Sequence, residues 1–181
     1  VIFAAKDGCL YRRSLGHGFP QAITPAYGSL AAPQLSPNNQ WVAFVHTYEG
    51  HDVIGLVDPD GKDWPVKLVE GADFYMQPVW HPEGEAIAWV EWDHPNMPWD
   101  GTLLMYGALD GDPPRIQAAQ NLAGGVEIPI LQPAFSPDGR YLSYIQNQGE
   151  WDQLILRDLE EGDSKVLIEG EALLKPAWLQ G

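Results

Sequence analysis

Cysteine is almost missing from this sequence, and cations are scarce. Among 181 residues there is one cysteine, Cys9, so no internal disulfide and no cysteine-rich metal site can form. Lysine and arginine number 10 against 25 aspartates and glutamates, a formal charge of −15. A chain so poor in positive charge lacks the basic footprint that a phosphate backbone requires, and an anionic membrane surface repels it. Neither nucleic acid nor membrane is therefore expected as a partner. No apolar run approaches the roughly 18 residues of a membrane-spanning helix. No Lys/Arg-led apolar leader is visible, which favours the cytoplasm. The first residue is Val1, which points to a piece of something longer. No window keeps a 3.6-residue apolar period over three turns, so helices should be nearly absent.

Several kinds of chemistry are missing too. No serine sits in Gly-x-Ser-x-Gly, the elbow that exposes a nucleophile. No glycine-rich loop precedes a helix, so nothing cradles a phosphate. His46 and His51 are five apart on an expected hairpin, and His-Glu-x-x-His is absent. The segment Asp58-Pro59-Asp60-Gly61-Lys62-Asp63 lacks the later bidentate glutamate of a calcium loop and reads better as a turn. No metal, no cofactor and no catalytic residue is expected. Paired carboxylates for glycosidase or lyase chemistry stay open as a third reading, although nothing singles out two of the 25 acids.

What is present is repetition. Apolar residues make up 45% of the chain, enough for a real core, and 19 glycines with 16 prolines imply many turns. Three segments align on one anchor: Pro33-Gln34-Leu35-Ser36-Pro37, Pro78-Val79-Trp80-His81-Pro82 and Pro133-Ala134-Phe135-Ser136-Pro137. A truncated fourth is Pro176-Ala177-Trp178. After each full anchor comes a turn pair (Asn38-Asn39, Glu83-Gly84, Asp138-Gly139) and then an apolar strand. A period of about 40–50 residues with strands inside is the signature of propeller blades. The expected fold is all-β: a partial β-propeller of four-stranded antiparallel blades, strands A to D, with about four blade equivalents. Residues 1–28 read as a partial blade with strands B, C and D. Residues 29–72, 73–125 and 126–171 read as whole blades, and residues 172–181 as a lone first strand. Leu35, Trp80, Phe135 and Trp178 share one repeat position, and Phe44, Trp89 and Tyr144 share another. Both positions are expected to be buried between blades.

One segment breaks the repeat. The second whole blade is about ten residues too long, and the excess lies between strands B and C, at residues 92–101. It reads Trp92-Asp93-His94-Pro95-Asn96-Met97-Pro98-Trp99-Asp100-Gly101. Insertions in repeat proteins map to loops on one face, often the binding face. Trp92, Asp93, His94, Asn96, Met97, Trp99 and Asp100 are the candidate binding or domain-contact residues. The loop either folds back to cap its own blade or touches a neighbouring domain or ligand. Antiparallel strands place it at the end opposite the Ser-Pro-x-Gly turns.

The Ser-Pro-Asp-Gly repeat resembles the TolB-type propeller repeat. The loop of residues 92–101 resembles one in the N-terminal propellers of the prolyl oligopeptidase family of serine peptidases, in the dipeptidyl aminopeptidase and acylaminoacyl-peptidase-like branch. That resemblance implies a propeller over a separate α/β-hydrolase domain that holds a Ser-Asp-His triad, with peptide substrates filtered in transit. No hydrolase domain is present here, and the blades are fewer than the seven or eight usual there, so no catalytic residue carries over. The alternative is a stand-alone TolB-like propeller that serves as a protein-binding scaffold. The open blade ends also allow a homodimer, with each lone first strand completing the other chain's first blade in an eight-bladed ring.

Overall fold

In the computed structural model, which describes residues 1–170, strands follow one another with no helix among the described residues. The partial first blade is β1 (Ile2–Ala4), β2 (Leu10–Arg12) and β3 (Gln21–Ala22). The second is β4 (Ser29–Leu35), β5 (Val42–Tyr48), β6 (His51–Val57) and β7 (Val66–Val69). The third is β8 (Phe74–Trp80), β9 (Ala86–Trp92), β10 (Leu103–Asp110) and β11 (Arg115–Gly124). The fourth is β12 (Ile130–Phe135), β13 (Tyr141–Asn147), β14 (Asp152–Asp158) and β15 (Ser164–Gly170). Each blade is a meander in chain order, three strands in the first and four in the others, all antiparallel. The all-β, partial-propeller expectation is therefore met. The lone first strand expected at residues 172–181, including Trp178, lies outside the described residues.

Why the B strands are so apolar follows from the stacking. Successive strand residues point to opposite faces, and a blade between two others buries both. Val42 and Phe44 on β5 face the first blade, where they pack with Leu10 and Ile23. Ala43 and Val45 on the same strand face the third blade, packing with Ile87 and Trp89. Ala88 and Val90 turn the other way, against Leu142 and Tyr144 of the fourth. Phe44, Trp89 and Tyr144 are all buried, as their shared repeat position predicts. On β13 burial alternates from Tyr141 to Tyr144, and among the described residues only the face towards the third blade packs against another blade.

The companion position behaves differently. Trp80 and Phe135 are half-buried and Leu35 is exposed, a correction to the expected burial between blades. They end the A strands at the rim of the blade, beside the turn, where the neighbour covers one side only. They still reach the preceding blade. Trp80 donates its indole N–H to the Gln34 carbonyl at 2.9 Å, and Phe135 stands edge-on to His81.

The A–B turns repeat atom by atom. Asn39, Gly84 and Gly139 all have positive φ, and each donates its N–H to the carbonyl of Ser36, His81 or Ser136 at 2.8–2.9 Å. Ser36 and Ser136 also accept, through their hydroxyls, the N–H of Trp41 and Tyr141 at 2.9 Å. In the middle turn His81 replaces serine. Its Nδ1 accepts the Glu83 N–H at 3.3 Å, and its Nε2 lies 3.2 Å from the Gly139 carbonyl of the next blade. A second repeated feature lies within the A strands. Ala32, Gln77 and Gln132 take the left-handed conformation just before Pro33, Pro78 and Pro133, and each marks a shift in strand register. For residues with a side chain that conformation costs about 1 kcal/mol or more. Its recurrence at three equivalent places makes it part of the blade design. Gln77 then accepts the Gln132 N–H at 2.7 Å, tying one bulge to the next.

Candidate functional site

The inserted loop leaves β9 and returns to β10, so it lies at the end of the blade away from the Ser-Pro-x-Gly turns, as the strand order requires. Its first half folds back. Trp92 stacks on Phe74, ring centroids 5.2 Å apart, and His94 meets the same ring edge-on at 4.8 Å. The Asp73 N–H donates to the Asp93 carboxylate at 2.8 Å, and the His94 N–H donates to the Asp73 carboxylate at 2.9 Å. These crossed bonds clamp the loop onto the start of β8. Asn96 reaches further, donating its amide to the Val126 carbonyl at 2.8 Å. Asp100 accepts the Met97 N–H at 2.9 Å and closes a tight turn around Pro98 and Trp99.

Glycine is required where the loop re-enters the blade. A Cβ on Gly101 would stand 2.1 Å from the Val126 carbonyl oxygen. The adjoining Thr102 is buried, and its hydroxyl accepts the Ile130 N–H at 2.7 Å, which joins the loop base to the fourth blade. The loop is thus held from three sides: β8, the 125–129 connection and β12.

A cleft of about 280 Å³ opens beside it, lined by Glu91, Trp92, Asp93, Asn96, Thr102 and Val126 among others. Burial pushes the Glu91 carboxyl above its ordinary range, a rise opposed by the Trp89 indole N–H and supported by the charge of Asp93. No serine, cysteine or lysine lines this cleft.

Of the seven candidate residues, Trp92, Asp93, His94 and Asn96 serve the loop's own anchorage, and Asp100 forms its tip turn. Met97 and Trp99 remain 44% and 43% exposed. The first half of the loop folds back onto its own blade, and its tip leaves these two side chains at the surface. Residues missed from sequence belong to other loops at the same end. Tyr27 stacks on Tyr48 at 4.1 Å on the neighbouring blade, and Val126 and Trp151 are exposed beyond the insertion. Each occupies a B–C turn or an interblade connection, and that repeat position was the available signal.

Elsewhere among the described residues, one set of side chains has metal-ligand character: His81, Glu83 and Glu85 place ligand atoms within 4.8 Å of one another. Both ring nitrogens of His81 are already engaged in turn and interblade contacts. The Asp58 turn is likewise self-satisfied. Asp58 accepts the N–H groups of Asp60 and Asp63, each at 2.9 Å.

No protein-family model matches the chain. Over 39 residues it is 44% identical to the Tol-Pal system protein TolB of Haemophilus influenzae, a stretch that covers 22% of this chain and 9% of that protein. Its fold is similar to a puromycin-hydrolysing peptidase of Mycobacterium tuberculosis, with TM-score 0.80 and 28% identity over 92% of the chain. A puromycin hydrolase aligns at TM-score 0.77 and 29% identity. The chain spans 28% of the length of each. TolB from Acinetobacter baumannii shares the fold at TM-score 0.69 and 17% identity, over 94% of this chain and 41% of that one. The chain is a partial β-propeller, similar to the N-terminal propellers of prolyl oligopeptidase-family peptidases and, in fold, to TolB.

Proposed function

We propose that this chain is the non-catalytic propeller segment of a serine peptidase, set over an α/β-hydrolase domain and filtering the peptides that reach it. The observation that carries the reading is 28–29% identity over 92% of the chain to two puromycin-hydrolysing enzymes of which it spans only 28%. The inserted loop supports it. A platform braced on three sides that leaves Met97 and Trp99 exposed suits contact with a peptide in transit, with the cleft beside Glu91 along its route. The branch, dipeptidyl aminopeptidase or acylaminoacyl peptidase, rests on the loop sequence alone. The test is the reading frame that contains this chain. A Gly-x-Ser-x-Gly motif a few hundred residues beyond Gly181 is expected, with aminoacyl-arylamide hydrolysis by the full protein. The 181-residue chain alone should show no turnover, and turnover by it would overturn the reading.

A second reading, a stand-alone TolB-like scaffold for protein binding, is favoured by the 44% identity to TolB. A frame that ends without the serine motif would support it.

The end blades favour self-association as a further proposal. Phe3 and Tyr11 stack on the outer side of the first blade. Leu131, Ile145, Leu154 and Ile168 are cross-strand partners in one row of the fourth, in which Ile145 is buried, Leu131 and Leu154 are half-buried and Ile168 is exposed. Apolar rows of this kind call for a cover. Two copies joined end to end are expected in light scattering after size exclusion. A stable 20 kDa monomer at micromolar concentration would reject the pair.

A further inference from the structure

The exposed apolar residues at the insertion end do not stand alone. Tyr27 and Tyr48 on the second blade, Met97, Trp99 and Val126 around the third, and Trp151 on the fourth all sit in connections at that one end. Backbone and side-chain hydrogen bonds link these connections. Asp52 donates its N–H to the Asp73 carbonyl, Asp73 bonds Asp93, Asn96 bonds Val126, and the Asn147 N–H reaches the Pro129 carbonyl at 3.2 Å. The apolar groups therefore ride on one rigid platform.

Acids occupy both ends, but cations are sorted by the same topology. Arg12, Arg13, Lys62, Arg115, Arg140 and Arg157 all lie at the turn end, in or beside the A–B and C–D connections. Lys165 begins β15 at that end too. Among the described residues, only Lys6 stands in a connection at the insertion end, and the Lys67 ammonium that reaches towards it is held by Glu70 at 2.8 Å. Glu49, Asp73, Asp100, Glu127 and Glu150 occupy that end without matching cations. An aromatic platform inside a one-sign field has a definite complement. Ring faces attract cations, carboxylates steer them in, and the methylene stems of lysine and arginine cover apolar surface.

We infer that the insertion end is a docking surface for a cationic peptide segment, one that carries lysine or arginine side chains over Tyr27, Tyr48, Trp99 and Trp151. The preference is a property of these blades and does not require a hydrolase domain, so it can fail while the peptidase reading stands.

The probe is a dye-labelled, acetyl-capped hexalysine amide, with hexaglutamate as its control, followed by fluorescence anisotropy on the 181-residue chain. Hexalysine is expected to bind, and to weaken by about tenfold as salt rises from low to several hundred millimolar. Two triple variants with the same net charge separate a face from bulk acidity. Glu49→Gln, Glu127→Gln and Glu150→Gln together should weaken binding about fivefold or more. Glu83→Gln, Glu160→Gln and Glu161→Gln at the opposite end should change it less than about twofold. All six glutamates are exposed, and unchanged melting temperatures verify folding. Equal losses in both triples, binding of hexaglutamate as tight as that of hexalysine, or full affinity in Trp99→Ala would each overturn the proposal.

Discussion

The A–B turns and the B–C connections are built on the same strands and treat their side chains in opposite ways. At the A–B end, Ser36 and Ser136 spend their hydroxyls on their own turns, His81 bonds the next blade, and Arg140 holds Asp158 at 2.7 Å. At the B–C end, Tyr48, Trp99 and Trp151 are left at the surface, and connection lengths differ from blade to blade. Stability arguments therefore belong to the A–B turns and recognition arguments to the B–C connections. Among the described residues no buried side-chain nitrogen or oxygen lacks a partner. The exposed aromatics of the B–C end are thus a feature of that surface and not a symptom of loose packing.

The sharpest way to break the comparison uses two tryptophans ten positions apart. Trp89 is 1% exposed between the second and third blades, its indole N–H donating to Glu91 at 2.7 Å. Trp89→Ala should cost about 3–5 kcal/mol. Trp99→Ala should cost about 0.5 kcal/mol, as an exposed substitution does. Urea titrations of both variants provide the check, and comparable losses would show the loop to be a structural part of the core.

A pair of glycines tests the same division on a smaller scale. Gly139 has φ +75° and sits against the His81 ring, so an added Cβ would lie 2.2 Å from Nε2. Gly149, in a B–C turn at φ +105°, has nothing within 4 Å of such an atom. Gly139→Ala should cost about 2 kcal/mol or more, since both the strained φ and the buried ring oppose it. Gly149→Ala should cost about 1 kcal/mol from backbone strain alone. A smaller loss at Gly139 than at Gly149 would remove His81 from its bridging role.

How much of this was legible follows from where the determining contacts lie in the chain. Blade number, strand order and the end that bears the insertion came from repetition, because the same turn chemistry and apolar alternation appear three times over. The burial of Phe44, Trp89 and Tyr144 came with it, since a mid-strand position has two neighbouring blades. Trp80 and Phe135 did not follow, because distance from the rim is invisible to a two-residue period. Nor did the left-handed residues before Pro33, Pro78 and Pro133, whose conformation is fixed by the strand across from them. In the loop, the composition flagged the right residues. The division between anchors and exposed tip was not readable, because Asn96 finds its partner at Val126, 30 residues away.

That tether supplies the next prediction. Asn96→Ala leaves the Val126 carbonyl without its donor and should cost about 1 kcal/mol. Its larger effect should be local, with faster proteolytic cleavage within residues 92–101 and little change at the A–B turns. Uniform acceleration across the chain would mean that the loop is not a separately anchored unit.

Acid titration gives the smallest effect and the cleanest sign. Hydrogen bonding from Arg140, then the backbone N–H groups of Glu161 and Glu160, hold the Asp158 carboxyl below its usual range. The Ser136 hydroxyl and the Arg140 N–H do the same for Asp138. At the other end, burial pushes the Glu91 carboxyl up. A carboxyl depressed by folding contributes stability above its unfolded value, near pH 4, and loses it as pH falls through the folded value. A carboxyl raised by folding contributes in the opposite sense, with a gain present at low pH and lost as pH rises through the folded value. Acidification below about pH 4 should therefore weaken the A–B end and leave the Glu91 contribution in place. Asp158→Asn should lower the urea midpoint at pH 6 and flatten its fall between pH 4 and pH 3. Glu91→Gln should leave that fall as steep as in the parent chain. If both variants kept the parent's acid slope, the loss would arise from net charge spread over the whole molecule, and the electrostatic contrast between the two ends would not extend to stability.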